Sequence, residues 1–413
     1  MASTMDLPDK WKITPLSDIC QFKPPKSIPR TELAAKAQVS FVPMNDLGEI
    51  SKDFTATDTR PLESVIKGYT YFADGDVICA KITPCFENGK LGLAQGLSNG
   101  VGFGSSEFVV MRTSPKLEAE YLYYFLARDE FREAGQKVMS GAVGHKRVPK
   151  EYFEMLPIPL PPLEEQKRIV AVLDQAFTAL DRARAHAEAN LADAGELFEV
   201  SVGEIFEALS ENHANEALAD IAEKITKGSS PKWQGISYVD EPGVLFVTSE
   251  NVTANAMDFT KTKYVEDAFN EKDKKSILQR DDVLTNIVGA SIGRTAVFDR
   301  DDIANINQAV CLIRPDREKL RSSYLAYLLN SPFFKVMLHA GEVNMARANL
   351  SLTFFRDFRV PLPSIEDQDA AVSQIEELHQ RSLNLSNHYQ TKLTDLADLR
   401  QSVLQKAFSG QLK

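Results

Sequence analysis

At 413 residues, with 43% hydrophobic and 25% charged side chains, the chain is too long for one ordinary core and has the composition of a soluble, foldable protein of two or more domains. No apolar run approaches the ~18 residues of a membrane span, and Met1-Ala2-Ser3-Thr4 opens a polar segment without the apolar centre of a secretory signal. Neither membrane insertion nor export is expected, and the cytoplasm is the expected location. The formal charge of -11 weighs against nucleic acid, which asks for Lys and Arg at its phosphates, yet it is an average that leaves room for local basic surfaces.

Taken in chain order, the first landmark is Leu16-Ser17-Asp18-Ile19, which returns as Leu218-Ala219-Asp220-Ile221. Phe41-Val42 followed by Asn45-Asp46-Leu47 returns as Phe246-Val247 followed by Glu250-Asn251-Val252. Gly75-Asp76-Val77-Ile78 matches Asp281-Asp282-Val283-Leu284, and Val110-Met111-Arg112 matches Leu312-Ile313-Arg314. These are short β-branched and aromatic runs set between Gly, Asn and Asp turns, the pattern of a mixed α+β region of roughly 150 residues. A packing helix follows, with Tyr121, Tyr124, Phe125 and Phe131 at helical spacing, and the second copy places one from Ser323 to about His339. Between Gly135 and Lys150 the chain carries Lys137, His145, Lys146, Arg147 and Lys150 without an acid.

The plainest repeat comes next. Pro159-Leu160-Pro161-Pro162-Leu163-Glu164-Glu165-Gln166 recurs about 202 residues later as Pro361-Leu362-Pro363-Ser364-Ile365-Glu366-Asp367-Gln368, half a chain away, which marks a tandem duplication. The prolines of 157–162 and 361–363 fix φ and remove donors, so both segments are expected to be stiff, extended elbows. After the first, Ile169, Leu173, Ala176, Leu180, Ala183, Ala187, Ala194, Leu197, Ile205 and Ala208 draw a seam along a helix from about Leu163 to Leu209, a rod of roughly 70 Å. After the second, Ile365, Val372, Ile375, Leu378, Leu393, Leu396, Leu399, Val403, Ala407 and Phe408 repeat it until Gly410. An antiparallel pairing of the two rods is the natural closure.

No catalytic constellation is present in the sequence. Gly289-Ala290-Ser291-Ile292-Gly293-Arg294-Thr295 has one residue too few between its glycines and Arg where a phosphate loop needs Lys, so it reads as a turn after a strand. Ser331-Pro332-Phe333-Phe334 has no Gly-rich cofactor loop beside it and reads as a turn inside a packing helix; Pro315-Asp316 reads as a strand-to-helix turn. The six His are dispersed, and Cys20, Cys79, Cys85 and Cys311 lack zinc-site spacing, so reduced thiols, no metal and no cofactor are expected.

Leu7-Pro8-Asp9-Lys10-Trp11 with Leu16-Ser17-Asp18-Ile19, and the run from Pro157 through Glu164-Glu165-Gln166-Lys167-Arg168 to Val170, resemble the entry motif and signature of the specificity (S, HsdS) subunits of type I restriction-modification systems. The second copy is looser, with Asp369-Ala370-Ala371 in place of Lys167-Arg168-Ile169 and no Trp before Leu218. The resemblance implies an α+β fold of two tandem target recognition domains, mixed α/β with short strands, separated by two long antiparallel coiled-coil helices with pseudo-two-fold symmetry. On the chain these fall at 1–160 and 213–360 for the recognition domains and 161–212 and 361–413 for the long helices. It implies a non-catalytic subunit that binds an asymmetric, bipartite site on double-stranded DNA. Methyltransferase (M) subunits, two per chain, and through them restriction (R) subunits, would carry the chemistry. A coiled-coil interaction scaffold without DNA binding is the alternative, and the acidic charge is its support.

Recognition residues vary within that family, so the residues that meet DNA are chosen on chemistry and position alone. In the first copy these are Lys81, Lys90, His145, Lys146 and Arg147, on the loops Lys81 to Lys90 and Ser140 to Arg147, where glycines allow close approach and cations suit phosphate or guanine. In the second they are Asn286, Arg294, Arg347 and Asn349, with Arg suited to guanine and Asn to adenine, and Lys227, Ser229 and Lys232 as weaker candidates.

Overall fold

The computed structural model describes residues 7–142, 144–240, 243–342 and 350–412, with the side chains of 339–342 left aside. The chain divides into two units: Met1–Ala187 together with Thr391–Lys413, and Glu188–Gln390.

Unit 1 is built on two four-stranded sheets. In the first, Cys20–Phe22, Phe108–Thr113, Val77–Ala80 and Leu91–Leu93 lie side by side, antiparallel throughout. In the second, Gln38–Val42 lies between Asp58–Pro61 and a parallel partner, Val101–Gly104, with Thr70–Ala73 beyond. Both faces of the central strands are covered, so Val77–Ala80 is buried along its whole length and reads as a continuous apolar run, not an alternating one. The helix Ala119–Leu126 is buried from Tyr121 to Leu126 and joins the same core.

Unit 2 repeats this plan. Ala222–Lys227, Val310–Pro315, Val283–Asn286 and Thr295–Val297 form the antiparallel sheet, and Val244–Val247 pairs parallel with Ala304–Ile306 in the other. The edges differ: in unit 1 Thr70–Ala73 lies beyond Val101–Gly104, whereas in unit 2 Ala304–Ile306 is the edge and a two-residue strand, Tyr238–Val239, is added at the opposite side beyond Tyr264–Val265. One ion pair is kept in both copies at the same register. Arg112 donates to Asp76 at 2.7 and 2.8 Å, and Arg314 to Asp282 at 2.7 and 2.8 Å, each aspartate being 1% exposed. Each aspartate also accepts from a backbone N–H of the preceding turn, Ala73 or Gln279, so the repeated Asp-Val and Arg landmarks are one clamp between adjacent strands.

The proline segments are extended, as expected of stiff elbows, and each is in addition paired as a strand. Pro157–Leu160 pairs with Lys12–Pro15, and Arg359–Pro361 with Asn215–Ala217. Proline tolerates this because each ribbon has only two strands and the ring removes a donor, not the carbonyl. Those carbonyls are used: Tyr121 donates its hydroxyl to Pro159 at 2.8 Å and Tyr324 to Pro361 at 2.9 Å.

The rods run over Leu163–Asn212 and Ile365–Phe408. Each opens on a glutamine that is fully buried. Gln166 accepts from the Glu118 N–H and donates to the Lys116 and Pro161 carbonyls; Gln368 does the same with Arg321, Lys319 and Pro363. Within unit 1 the rods pack antiparallel, with Leu173 and Phe177 in one core with Leu404, Ala407 and Phe408, and Arg400 paired to Asp181. Within unit 2, Val202 and Phe206 share a core with Ala371, Val372 and Ile375. Phe408 lies edge-on to Tyr121 at 4.9 Å and Phe206 edge-on to Tyr324 at 5.4 Å, so the end of the second rod does for unit 1 what the end of the first does for unit 2. The duplication is cyclic.

Two details of the rods and helices depart from the pattern read in the sequence. Leu197 and Leu399, assigned to the seams, are 63% and 48% exposed, because the buried face runs through Ala194, Val202 and Phe206 on one rod and Leu404 and Ala407 on the other. The expected helix from Ser323 to His339 is two helices, Ser322–Asn330 and Pro332–Glu342. Ser331 is extended between them and its hydroxyl accepts from the Phe334 N–H, with Pro332, which has no N–H to leave unpaired, opening the second.

Candidate nucleic-acid interface

Strand direction gathers the candidate loops. In unit 1, Cys20–Phe22 and Val77–Ala80 both run toward the end where Phe108–Thr113 begins, since Phe22 pairs with Met111, the Lys23 N–H donates to the Val110 carbonyl, and Ala80 pairs with Phe108. Three segments leave or enter at that end: Lys23 to Lys26, Lys81 to Lys90, and the turn through Ser105 to Glu107. A fourth, Ser140 to Val148, is stitched onto them. The Lys81 N–H donates to the Glu107 carbonyl, the Thr83 N–H to that of Lys146, and the Val148 N–H to that of Lys81.

Of the residues chosen from the sequence, Lys81, His145, Lys146 and Arg147 are therefore brought together, with the last three exposed. Arg147 holds a two-pronged ion pair, its Nε and Nη2 donating to Glu107 at 2.9 Å each. Those hydrogen bonds hold the Glu107 carboxyl below its usual range and raise the Arg147 guanidinium above its own. Lys90 stands apart: it is half-buried and donates to the Leu47 carbonyl at 2.7 Å, which ties down a neighbouring loop. Sequence reasoning missed Lys23 and Lys26, which share this end, and Glu107. Lys23 is exposed, with its N–H donating to Val110, and Lys26 is half-buried and reaches the Ile66 carbonyl. The signal for them was the doubled proline and lysine of Lys23-Pro24-Pro25-Lys26, straight after a strand.

Unit 2 makes the same junction with different side chains. Ala222–Lys227 and Val283–Asn286 end where Val310–Pro315 begins, Lys227 pairing with Cys311 and Asn286 with Val310. The Ile287 N–H donates to the Ala309 carbonyl and the Leu350 N–H to that of Ile287, which repeats the stitches made at Lys81 and Val148. Lys227 and Lys232, the weaker candidates, are exposed at this end, as is Arg294, which lines an open pocket with Phe198, Tyr327 and Lys335. Ser229 is turned to the interior, its hydroxyl donating to Asp273. Asn286 is fully buried, its amide donating to the Ser249 and Val252 carbonyls at 3.0 and 3.2 Å, so it shapes the turn and offers no amide to a base. Arg347 and Asn349 lie outside the described residues.

Among the described residues no group of three or more His, Cys, Asp and Glu is placed to hold a metal ion, and no helix is long and apolar enough to cross a membrane. Burial pushes the Cys20, Cys79 and Cys311 thiols up to about 12, far from a nucleophile's range. What the site offers is charge and hydrogen bonding on preset loops.

A family model described as the type I restriction modification DNA specificity domain matches residues 8–188 and again 211–395. The chain is 34% identical over 219 residues to the type I restriction enzyme EcoAI specificity subunit of Escherichia coli, and 37% identical over 178 residues to the EcoEI specificity subunit of the same organism. Those matches cover 53% and 43% of this chain but span only 36% and 29% of the relatives' own lengths. The fold matches a chain from a structure of complex assembly and conformational transition in the type I R-M system, with TM-score 0.78 and 21% identity over 98% of this chain and 100% of that one. It also matches the HsdS subunit from Thermoanaerobacter tengcongensis, with TM-score 0.66 and 21% identity over 99% of each.

Proposed function

The chain belongs to the type I restriction modification DNA specificity domain family, and from that membership we propose that it is the subunit that gives a type I restriction-modification complex its DNA sequence. Each unit reads one half of a bipartite, asymmetric site in double-stranded DNA through the loops at the end of its antiparallel sheet. The chain itself catalyses nothing; M subunits, two per chain, dock on the outer faces of the rods, where Leu197, Val200, Leu383 and Leu399 are exposed, and R subunits join through them. The recognition domains take 1–160 and 213–360 and the rods 161–212 and 361–413.

The observation that carries this reading is the junction built twice with unlike side chains. The backbone stitches at Lys81, Glu107 and Val148 recur at Ile287, Ala309 and Leu350. A reader of two different half-sites needs just this: one scaffold, and loops free to differ. Arg147 exchanges Glu107 for phosphate or a guanine edge, Lys81, His145 and Lys146 meet phosphates beside it, and Arg294 with Arg347 and Asn349 act in unit 2. Each rod contributes to both units, so rod length sets the gap between half-sites.

The test is retention of duplex DNA by the full chain as salt is raised. Arg147→Ala and Arg347→Ala are each expected to weaken binding and to lower the salt slope by about one. Unchanged affinity and slope in both would remove these loops from the interface. The acidic net charge favours a second reading, a scaffold without DNA binding; it would stand if the wild-type chain, with its methyltransferase subunit, retained no DNA at any salt. Truncation before Glu366 is expected to abolish co-purification with that subunit, and retention would count against the dock.

A further inference from the structure

Trp233 is 82% exposed, more than any other large hydrophobic side chain among the described residues. A lone exposed apolar side chain ordinarily needs no explanation. This one sits at the tip of a loop that is built to hold it. Gly228 is buried so close to the next strand that a Cβ would lie 1.8 Å from the Ile306 carbonyl oxygen. Ser229 donates to Asp273, which is 3% exposed; Gln234 donates to Ser229, and Lys272 to the Gln234 carbonyl. Pro231 opens a 3-10 turn over Pro231–Gln234, and Gly235 ends it in the left-handed region at φ 69°. These contacts hold the loop's backbone in place, so presenting the indole costs little backbone entropy at binding.

The surroundings say what it would meet. From Lys224 to Val239 there is no acidic residue, while Lys224, Lys227 and Lys232 are present, in a chain whose net charge is -11. Lys274 and Lys275 are exposed on the segment next to Asp273. The loop leaves the sheet at the end that carries Ile287 and Arg294. An aromatic ring among cations fits a nucleobase between phosphates better than it fits an apolar protein surface, which would have to strip water from the lysines. The matching loop of unit 1, Lys23-Pro24-Pro25-Lys26, carries no aromatic residue.

We propose that Trp233 is a specificity-determining residue of unit 2: its indole packs against a base of that unit's half-site, with Lys227 and Lys232 on the neighbouring phosphates. This rests on the DNA-reading function proposed above. The experiment selects from a randomised duplex pool with the full chain and its methyltransferase subunit, then sequences what is retained by wild type, Trp233→Ala and Trp233→Phe.

Wild type is expected to enrich a two-part motif. Trp233→Ala should lose sequence information in one half only and bind the wild-type motif about tenfold more weakly, while Trp233→Phe, which keeps a ring, stays within about threefold. The half read by unit 1 serves as the internal control for folding. An unchanged motif and affinity in Trp233→Ala overturns the proposal, as does a loss of methyltransferase co-purification with DNA binding intact, which would assign the indole to a protein interface. If wild type enriches no motif, the DNA reading itself fails, and Trp233 falls with it.

Discussion

Gln166 and Gln368 close three hydrogen bonds each from fully buried positions, and they account for the most recognisable part of the repeated sequence. Spacing alone made the motif visible as a landmark. Its reason was not legible, because two of the three partners of each glutamine are backbone groups of a turn more than forty residues earlier. Gln166→Ala leaves the Glu118 N–H and two carbonyls without partners and is expected to cost about 3 kcal/mol, read as a drop in the urea midpoint. Arg168→Ala, which breaks an exposed pair with Glu165, should move it by no more than about 0.5 kcal/mol. Asp282→Ala would strand Arg314 and should cost about 3–5 kcal/mol in unit 2. Asn286 shows the opposite failure: Asn after a strand in a Gly-rich turn looks like a base reader, and only the fold reveals that it faces the carbonyls of Ser249 and Val252. Among the thiols, iodoacetamide at about pH 8 should label half-buried Cys85 first, and Cys20, Cys79 and Cys311 only on unfolding. Early labelling of all four would contradict the burial described.

The rods were legible as elements because apolar spacing and flanking prolines mark them, and their ends fall within a few residues of the pattern. Their faces were less so. A seam of small and large apolar residues fits more than one helical stripe, and Leu197 and Leu399 lie off the stripe that packing selects. The cyclic exchange of rod ends was invisible in the sequence, since it depends on contacts such as Phe408 with Tyr121 and Phe125 between distant segments. It predicts that Phe408→Ala destabilises unit 1 and Phe206→Ala unit 2, each by about 3–5 kcal/mol. Proteolysis under mild denaturant, with fragments identified by mass, checks this: each variant should expose its own unit first. Equal sensitivity of both units to both variants would refute the assignment of rod ends.

At the scale of the whole molecule, the duplication keeps the strand order of the antiparallel sheet, the Asp–Arg clamp, the glutamine at each rod's start and the loop stitches, and it varies the edges of the second sheet and the side chains the loops present. That division explains why the scaffold could be read from one sequence and the reading surface could not. Scaffold residues repeat because both units must fold, whereas loop residues are free to differ, as the proposed reading of two different half-sites requires. The acidic balance fits as well, with cations such as Lys23, Lys146 and Arg147 at the sheet end of a chain whose total is -11. The most direct measurement is a map of adenine methylation across a host genome expressing the chain with a type I methyltransferase subunit. The account predicts methylation at one asymmetric motif of two specific halves separated by a gap of fixed length, with one half altered by Arg147→Ala and the other left intact. Methylation at no bipartite motif would contradict it.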